Sequence, residues 1–151
     1  MENKEQKNKQ LVQTAIEEIW NGGNVKVAER LTHPDYIAHM PGGQEIHGIE
    51  GVKEAIKNFR TAFPDVRLKI VSQVADGDEV VTVTTFEGTH SGALETIEGQ
   101  PDLAASGQHV SGVMGVSRMR IIDGKVVEEW VTYDEATAMQ QIGAAGLRPS
   151  Y

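Results

Sequence analysis

The residues best suited to chemistry lie late in the chain. Glu128 and Glu129 stand side by side in Lys125-Val-Val-Glu-Glu-Trp-Val-Thr-Tyr133, and Asp134 follows. A carboxyl lodged among apolar side chains loses hydration, which disfavours its charged form and raises its pKa. Such a group can take up and return a proton near neutral pH, as a general acid or base does. Five histidines complete the set of candidates. His39 follows a short extended piece and His90 ends a strand-like run, so either could orient or polarise a substrate. The commoner role of each is an imidazole fixed to a backbone carbonyl. His33, His47 and His109 sit beside turns and loops and carry no such expectation. No His-x-His, His-Glu-x-x-His or acidic cluster gives ligand spacing, so no metal is expected. No glycine loop of the phosphate-binding kind is present, and no cofactor is expected.

The strand carrying the two glutamates decides which of them can do this work. Two runs rich in β-branched residues flank Asp123-Gly124, a dipeptide that supplies the positive φ values of a tight turn, so Arg118–Asp134 is read as a β-hairpin. Neighbouring strand residues point to opposite faces, so one glutamate must face whatever the sheet packs against. If Asp123-Gly-Lys125 closes a three-residue loop, Arg120 opposes Glu128 and Arg118 opposes Trp130. That face, with its charge pair and cation–π pair, is the outer one. The inner face then carries Ser117, Met119, Ile121, Val127, Glu129, Val131 and Tyr133. A two-residue turn would change the pairing. Glu129 is therefore the candidate acid/base. Asp134 is the second acid, equally suited to capping the helix that follows.

The rest of the chain supplies the scaffold. Residues 2–10 are polar and expected to fray. Leu11, Val12, Ala15, Ile16, Ile19 and Trp20 recur at helical spacing and predict an amphipathic helix, ended by Asn21-Gly-Gly-Asn. Asn24 caps a short helix to Leu31, which His33-Pro34-Asp35 breaks. Tyr36–His39 is a short extended piece, and Met40–Gly48 a loop. A third helix spans roughly Ile49 to Phe63. Strands follow over Val66–Ala75, Glu79–His90, Val110–Ile122 and Lys125–Tyr133, with a polar loop from about Ser91 to Gln108. A last helix reaches about Ile142, and residues 143–151 are expected as a loose tail. Helices grouped before a mainly antiparallel sheet indicate an α+β fold. A curved sheet wrapped around the N-terminal helices makes a cone-shaped α+β barrel whose mouth is a ligand site. Trp20, Tyr36, Phe59, Phe63, Met114 and Met119 are the apolar candidates to line it, beside Ser117, Val131 and Tyr133 of the inner hairpin face. Aromatic content is low, which leaves room for a modest pocket.

Composition narrows the function classes. The 151 residues make one domain with a real core, spanning 1–151. A net charge of −8 argues against nucleic acid or an anionic membrane as partner. The chain has no cysteine, which excludes disulfides and suits a reducing cytoplasm. The N-terminal stretch lacks an apolar core, so no signal peptide is expected, and no apolar run is of membrane-spanning length.

Several short motifs, in this order and spacing, resemble a known group. They are Ile19-Trp-Asn-Gly-Gly-Asn24, His33-Pro-Asp-Tyr36, Phe59-Arg-Thr-Ala-Phe-Pro-Asp65, Gly88-Thr-His-Ser-Gly92 and Ile122-Asp-Gly-Lys-Val-Val-Glu-Glu-Trp130. The chain looks like a SnoaL-like polyketide cyclase or ester cyclase, within the nuclear-transport-factor-two-like superfamily. The resemblance spans roughly residues 10 to 143. It implies an α+β cone, often a homodimer, with a pocket between helices and sheet. It also implies cofactor-free chemistry on a small apolar substrate. Aldol-type polyketide cyclases of this group carry an aspartate at the position of Val131 and a histidine at that of Ser117. This chain has neither. Its segment between His90 and Val110 is also longer than the family's loop. The first expectation is an acid/base enzyme that cyclises, isomerises or hydrates a carbonyl-bearing substrate. The second is a non-catalytic binding or dimerisation module. Epoxide hydrolysis ranks below both, because it needs an Asp–Arg–Asp set and Arg118 and Arg120 fall on the outer face.

Overall fold

Polar contacts begin the fold. The computed structural model describes residues 3–151. Helix α1 (Lys4–Thr14) is capped by Asn3, whose side chain accepts from the Gln6 amide at 2.8 Å. Lys4 pairs with Asp78 at 2.6 Å, and Glu5 accepts the Gly77 amide at 3.1 Å. The stretch expected to fray is therefore helical from Lys4 onward and tied to a strand turn. Apolar periodicity missed it because its anchors are polar. Met1 and Glu2 lie outside the described residues.

Helix α1 runs on into a π-helical segment, Ala15–Asn21. Gly23 closes it at φ +70°, a left-handed conformation that favours glycine. Arg60 donates to the carbonyls of Trp20 and Asn21 at 3.0 and 2.7 Å, satisfying acceptors that the helix end leaves free. The Asn21 side chain exchanges two hydrogen bonds with the Leu68 backbone, at 2.9 and 2.7 Å, and so joins helix end to sheet edge.

Helix α2 (Val25–Leu31) is capped by Asn24. Strand β1 (Thr32–His39) starts four residues before the expected extended piece. Strand β2 (Glu45–His47) falls within the expected loop and pairs with β1. Helix α3 (Gly48–Ala62) follows, then β3 (Arg67–Asp76), β4 (Glu79–Thr89), β5 (His109–Ile122), β6 (Lys125–Tyr133) and helix α4 (Glu135–Gln141). The six strands form one sheet in the order β2-β1-β6-β5-β4-β3. Among the described strands, only β1 and β6 run parallel. This is the expected α+β cone, with a mainly antiparallel sheet and, among the described residues, four α-helices.

Alternation along each strand sorts the two faces. Val80, Met119, Ile121 and Val126 turn inward and pack with Val12, Ile16 and Ile19 of the first helix. A second cluster joins Phe63, Val110 and Val113 to Met139 and Ile142 of the last helix region. The long segment between β4 and β5 is ordered. The amides of Ser91 and Gly92 donate to the Ala62 carbonyl at 3.1 and 3.3 Å. A Cβ on Gly92 would stand 1.8 Å from the Thr61 carbonyl oxygen, so only glycine lets the chain cross there.

Residues 147–151, expected as part of a loose tail, form a strap. Ile97 donates to the Arg148 carbonyl at 3.1 Å and Ser150 to the Glu95 carbonyl at 3.0 Å. On the other side, Gln44 donates to the Pro149 carbonyl at 3.1 Å and accepts the Tyr151 amide at 3.2 Å. Backbone bonding to two loops orders the strap, and it leaves no periodic trace in the sequence.

Candidate active site

The hairpin at the centre of the sheet turns on two residues, not three. Asp123 and Gly124 take φ +50° and +76°, and Ile122 pairs directly with Lys125. The register then slips by one through a bulge at Val127, so Ile121 faces Val126 while Arg120 faces Glu128. Val126 is accordingly the buried inner residue, and Val127 does not take the inner position expected for it. Beyond the bulge the pairs are those the three-residue loop would give: Arg120 with Glu128, Met119 with Glu129, Arg118 with Trp130.

The two glutamates are thus split. Glu128 lies on the outer face, 2.7 Å from His39 Nε2 and 3.5 Å from the Arg120 guanidinium. The hydrogen bond from His39 holds its carboxyl below the usual range. Arg118 lies 4.0 Å over the Trp130 ring, and His39 stacks on that ring at 5.4 Å. Glu129 points inward and is 9 % exposed. The Tyr36 hydroxyl donates to its Oε1 at 2.6 Å. Burial pushes the Glu129 carboxyl up, and the Tyr36 bond offsets part of that rise. Tyr36 itself is pushed well above the usual phenol range, first by burial and then by the adjacent carboxylate.

Glu129 forms part of the wall of a cavity of about 230 Å³. Trp20 and Ile16 enter from the π-helical segment, whose wider turn shapes this side. Tyr36 comes from β1, and Phe59 and Phe63 from α3. Ser117, Met119, Val131 and Tyr133 come from the hairpin. Trp20, Phe59, Phe63 and Phe86 form a continuous aromatic wall with centroids 5.1–6.0 Å apart. Gly115 sits opposite Tyr133, and a Cβ there would meet Tyr133 Cβ at 3.2 Å and Thr84 Oγ1 at 3.3 Å. Its missing side chain lets the base of Tyr133 pack closely against β5.

Four expected site residues stand elsewhere. Asp134 caps α4, accepting the Thr137 amide at 3.1 Å and its hydroxyl at 2.6 Å. His39 faces outward, since alternation from the inward Tyr36 places Ala38 inside and His39 outside. Met114 is 47 % exposed, because its neighbours Val113 and Gly115 take the inner positions. His90 is 1 % exposed but lies behind the aromatic wall, 5.6 Å from the Phe63 ring. Its Nδ1 accepts the Ser106 amide at 3.2 Å and meets the Ser106 hydroxyl at 2.8 Å, while Nε2 is buried without a partner. Burial pushes this imidazole down. The bond accepted at Nδ1 from the Ser106 amide suits the neutral ring, which pins the long loop. Among the described residues, no three His, Asp or Glu gather closely enough to hold a metal.

The sequence reading missed Phe86 and Tyr151. Strand alternation through Val80, Thr82 and Thr84 would have placed Phe86 inside. Nothing in the aperiodic segment around Tyr151 marks it. Yet Tyr151 lines the cavity, and its hydroxyl meets that of Tyr133 and donates to Glu135 Oε2 at 3.0 Å. Glu135 Oε1 in turn accepts from Arg148 Nε at 2.8 Å.

Residues 10–142 match the family of SnoaL-like polyketide cyclases. The chain belongs to that family. A SnoaL-like protein of Jannaschia sp. CCS1 shares its fold at a TM-score of 0.82 and 24 % identity, covering 95 % of this chain and 96 % of that one. TsrD of Streptomyces laurentii aligns at 0.77 and 28 %, covering 95 % and 99 %. IdmH of Streptomyces antibioticus aligns at 0.73 and 26 %, covering 90 % and 98 %. No curated protein matches the sequence at a significant level. Among the described residues, no helix is long and apolar enough to cross a membrane. Within this SnoaL-like frame, the two positions where the resemblance puts the aldol cyclases' aspartate and histidine, Val131 and Ser117, both border the cavity. Glu129 is the acid one inner-face step before Val131.

Proposed function

We propose that the protein is a cofactor-independent acid/base enzyme that cyclises, isomerises or hydrates a small apolar substrate bearing a carbonyl. One observation carries this reading: a carboxyl buried in the wall of an apolar cavity, raised by that burial and held by a single phenol. As the carboxylate, Glu129 takes a proton from the carbon beside the substrate carbonyl. The C–H pair becomes the enolate double bond, and the negative charge moves to the carbonyl oxygen. Returning the proton to another carbon completes an isomerisation. Attack of the enolate carbon on a second carbonyl of the same molecule forms a C–C bond, and the proton then goes to the new alkoxide. Burial serves this role because an acid titrating nearer the working pH exchanges protons more effectively. The reading as a non-catalytic module would suit a filled cone with Glu129 paired outward. This cone has a cavity, and Glu129 is turned into it.

The cavity lies below the ~300 Å³ typical at the small end of ligand pockets, so a two-ring probe is appropriate. In D2O, the protein is expected to accelerate exchange of the α-protons of 2-tetralone, followed by proton NMR. Glu129→Gln should abolish the acceleration with the fold retained. Equal exchange by the two proteins contradicts the assignment. We also propose a cytoplasmic homodimer joined through the outer sheet face, where Val74, Met114 and Val116 stand exposed. Analytical ultracentrifugation should show twice the chain mass, and a monomer at micromolar concentration would refute the dimer.

A further inference from the structure

The cavity has a second polar end. Glu129 and Tyr133 share the inner face of β6 four residues apart, which separates them by about 13 Å along the strand at ~3.3 Å per residue. At the Tyr133 end, the strap brings in Tyr151 across a T-shaped ring contact with centroids 6.3 Å apart. The hydroxyls form a directed chain. Tyr151 donates to Glu135, so the bond between the phenols has Tyr133 donating to Tyr151. Arg148 neutralises Glu135 from behind. Burial raises both phenols, so they stay protonated and uncharged at neutral pH. Lone pairs on both oxygens remain free to accept, and the Tyr133 proton can turn from Tyr151 to a ligand oxygen.

We propose that the Tyr133–Tyr151 pair is a binding site for a neutral oxygen at the end of the substrate remote from the reacting carbon. The substrate class is then an apolar frame about two rings long, with a hydroxyl or ketone at the far end. A carboxylate is disfavoured, because Glu135 stands directly behind the phenols and its charge is already matched by Arg148. The site exists only when the strap is seated, so Gln44, Glu95 and Gln100, which hold the strap at 2.9–3.2 Å, take part in building it. This inference rests on the reading of Glu129 as the acid/base group, and it adds the chemistry at the opposite end.

The test uses 2-naphthol and naphthalene as probes, with binding followed by fluorescence. Each phenol already has a partner within the protein, so a ligand oxygen exchanges bonds without rescuing an orphaned group, and the expected preference for 2-naphthol is about tenfold. The Tyr133→Phe/Tyr151→Phe double variant should lose this preference and bind naphthalene unchanged. Glu129→Gln should keep it. In the unaltered protein, the Cζ signals of labelled Tyr133 and Tyr151, which report on the phenol oxygens, should shift further with 2-naphthol than with naphthalene, which needs no variant to fold. Equal binding of both probes, or loss of the preference in Glu129→Gln alone, overturns the inference while leaving Glu129 as the base. Failure of both probes to bind overturns the small-ligand cavity on which both readings rest.

Discussion

Glu128 and Glu129 are the same residue type, one position apart on one strand, and they meet opposite fates. Glu128 looks out toward His39 and Arg120, and its carboxyl is held below the usual range. Glu129 looks in, has one hydrogen-bond donor, and is pushed up by burial. The contrast arises from strand parity alone. A pleated strand sends neighbouring side chains to opposite faces, so a sheet with one solvated face gives adjacent acids two different solvents. The outer acid is available for surface pairing. Among the described residues the inner acid forms no ion pair, and burial makes it keep its proton to higher pH, which suits it to proton transfer.

The largest effect should come from breaking the inner member. Glu129→Gln is expected to reduce catalysed α-exchange at least ~100-fold, the lower bound for a positioned general base, while Glu128→Gln retains it. Equal losses would erase the distinction. Filling the cavity should come next. Gly115→Val crowds its Cβ against Tyr133 and Thr84 in the cavity wall and should weaken naphthalene binding about tenfold, or ~1.4 kcal/mol.

Tyr36→Phe sharpens the account of the inner acid. The Tyr36 bond lowers the Glu129 pKa, so its loss should raise that pKa further and move the rising limb of the pH–rate profile to higher pH. An unmoved limb would mean that the phenol does not tune the acid. Asp134→Ala removes a helix cap and should lower the melting temperature by about 2–4 °C without affecting exchange.

The smallest effects concern pH and stability. Glu129 has a raised folded-state pKa, so its contribution is full below the unfolded value and is lost as pH rises through the folded one. Glu128 is depressed, so its contribution is present above the unfolded value and is lost as pH falls through the folded one. Unfolding titrations of the two Gln variants should diverge from the parent at opposite ends of the pH range. The Glu128 effect should shrink with salt.

Much of this contrast was legible in the sequence, partly through compensation. The faces of the hairpin follow from a three-residue loop, with a two-residue turn left open as the alternative. The hairpin closes on two, and the bulge at Val127 restores the register, so every inner and outer assignment beyond the bulge still holds. Only Val126 and Val127 exchange roles. Parity also explains His39 and Met114: counting from Tyr36, or from Val113, puts both outside. Helix α1 extends to Lys4 through side-chain bonds to Gly77 and Asp78, which no apolar pattern encodes. The strap was illegible for a similar reason. Its partners, Gln44 and Glu95, are more than fifty residues away in sequence, and only the closed fold brings them to Tyr151.

Site-specific carboxyl labelling and a carbon NMR titration of both glutamates test the central claim without any substrate. The account predicts that Glu129 titrates above the ordinary glutamate value of about 4.3 and Glu128 below it. Coincident titrations, or the reverse order, would contradict it.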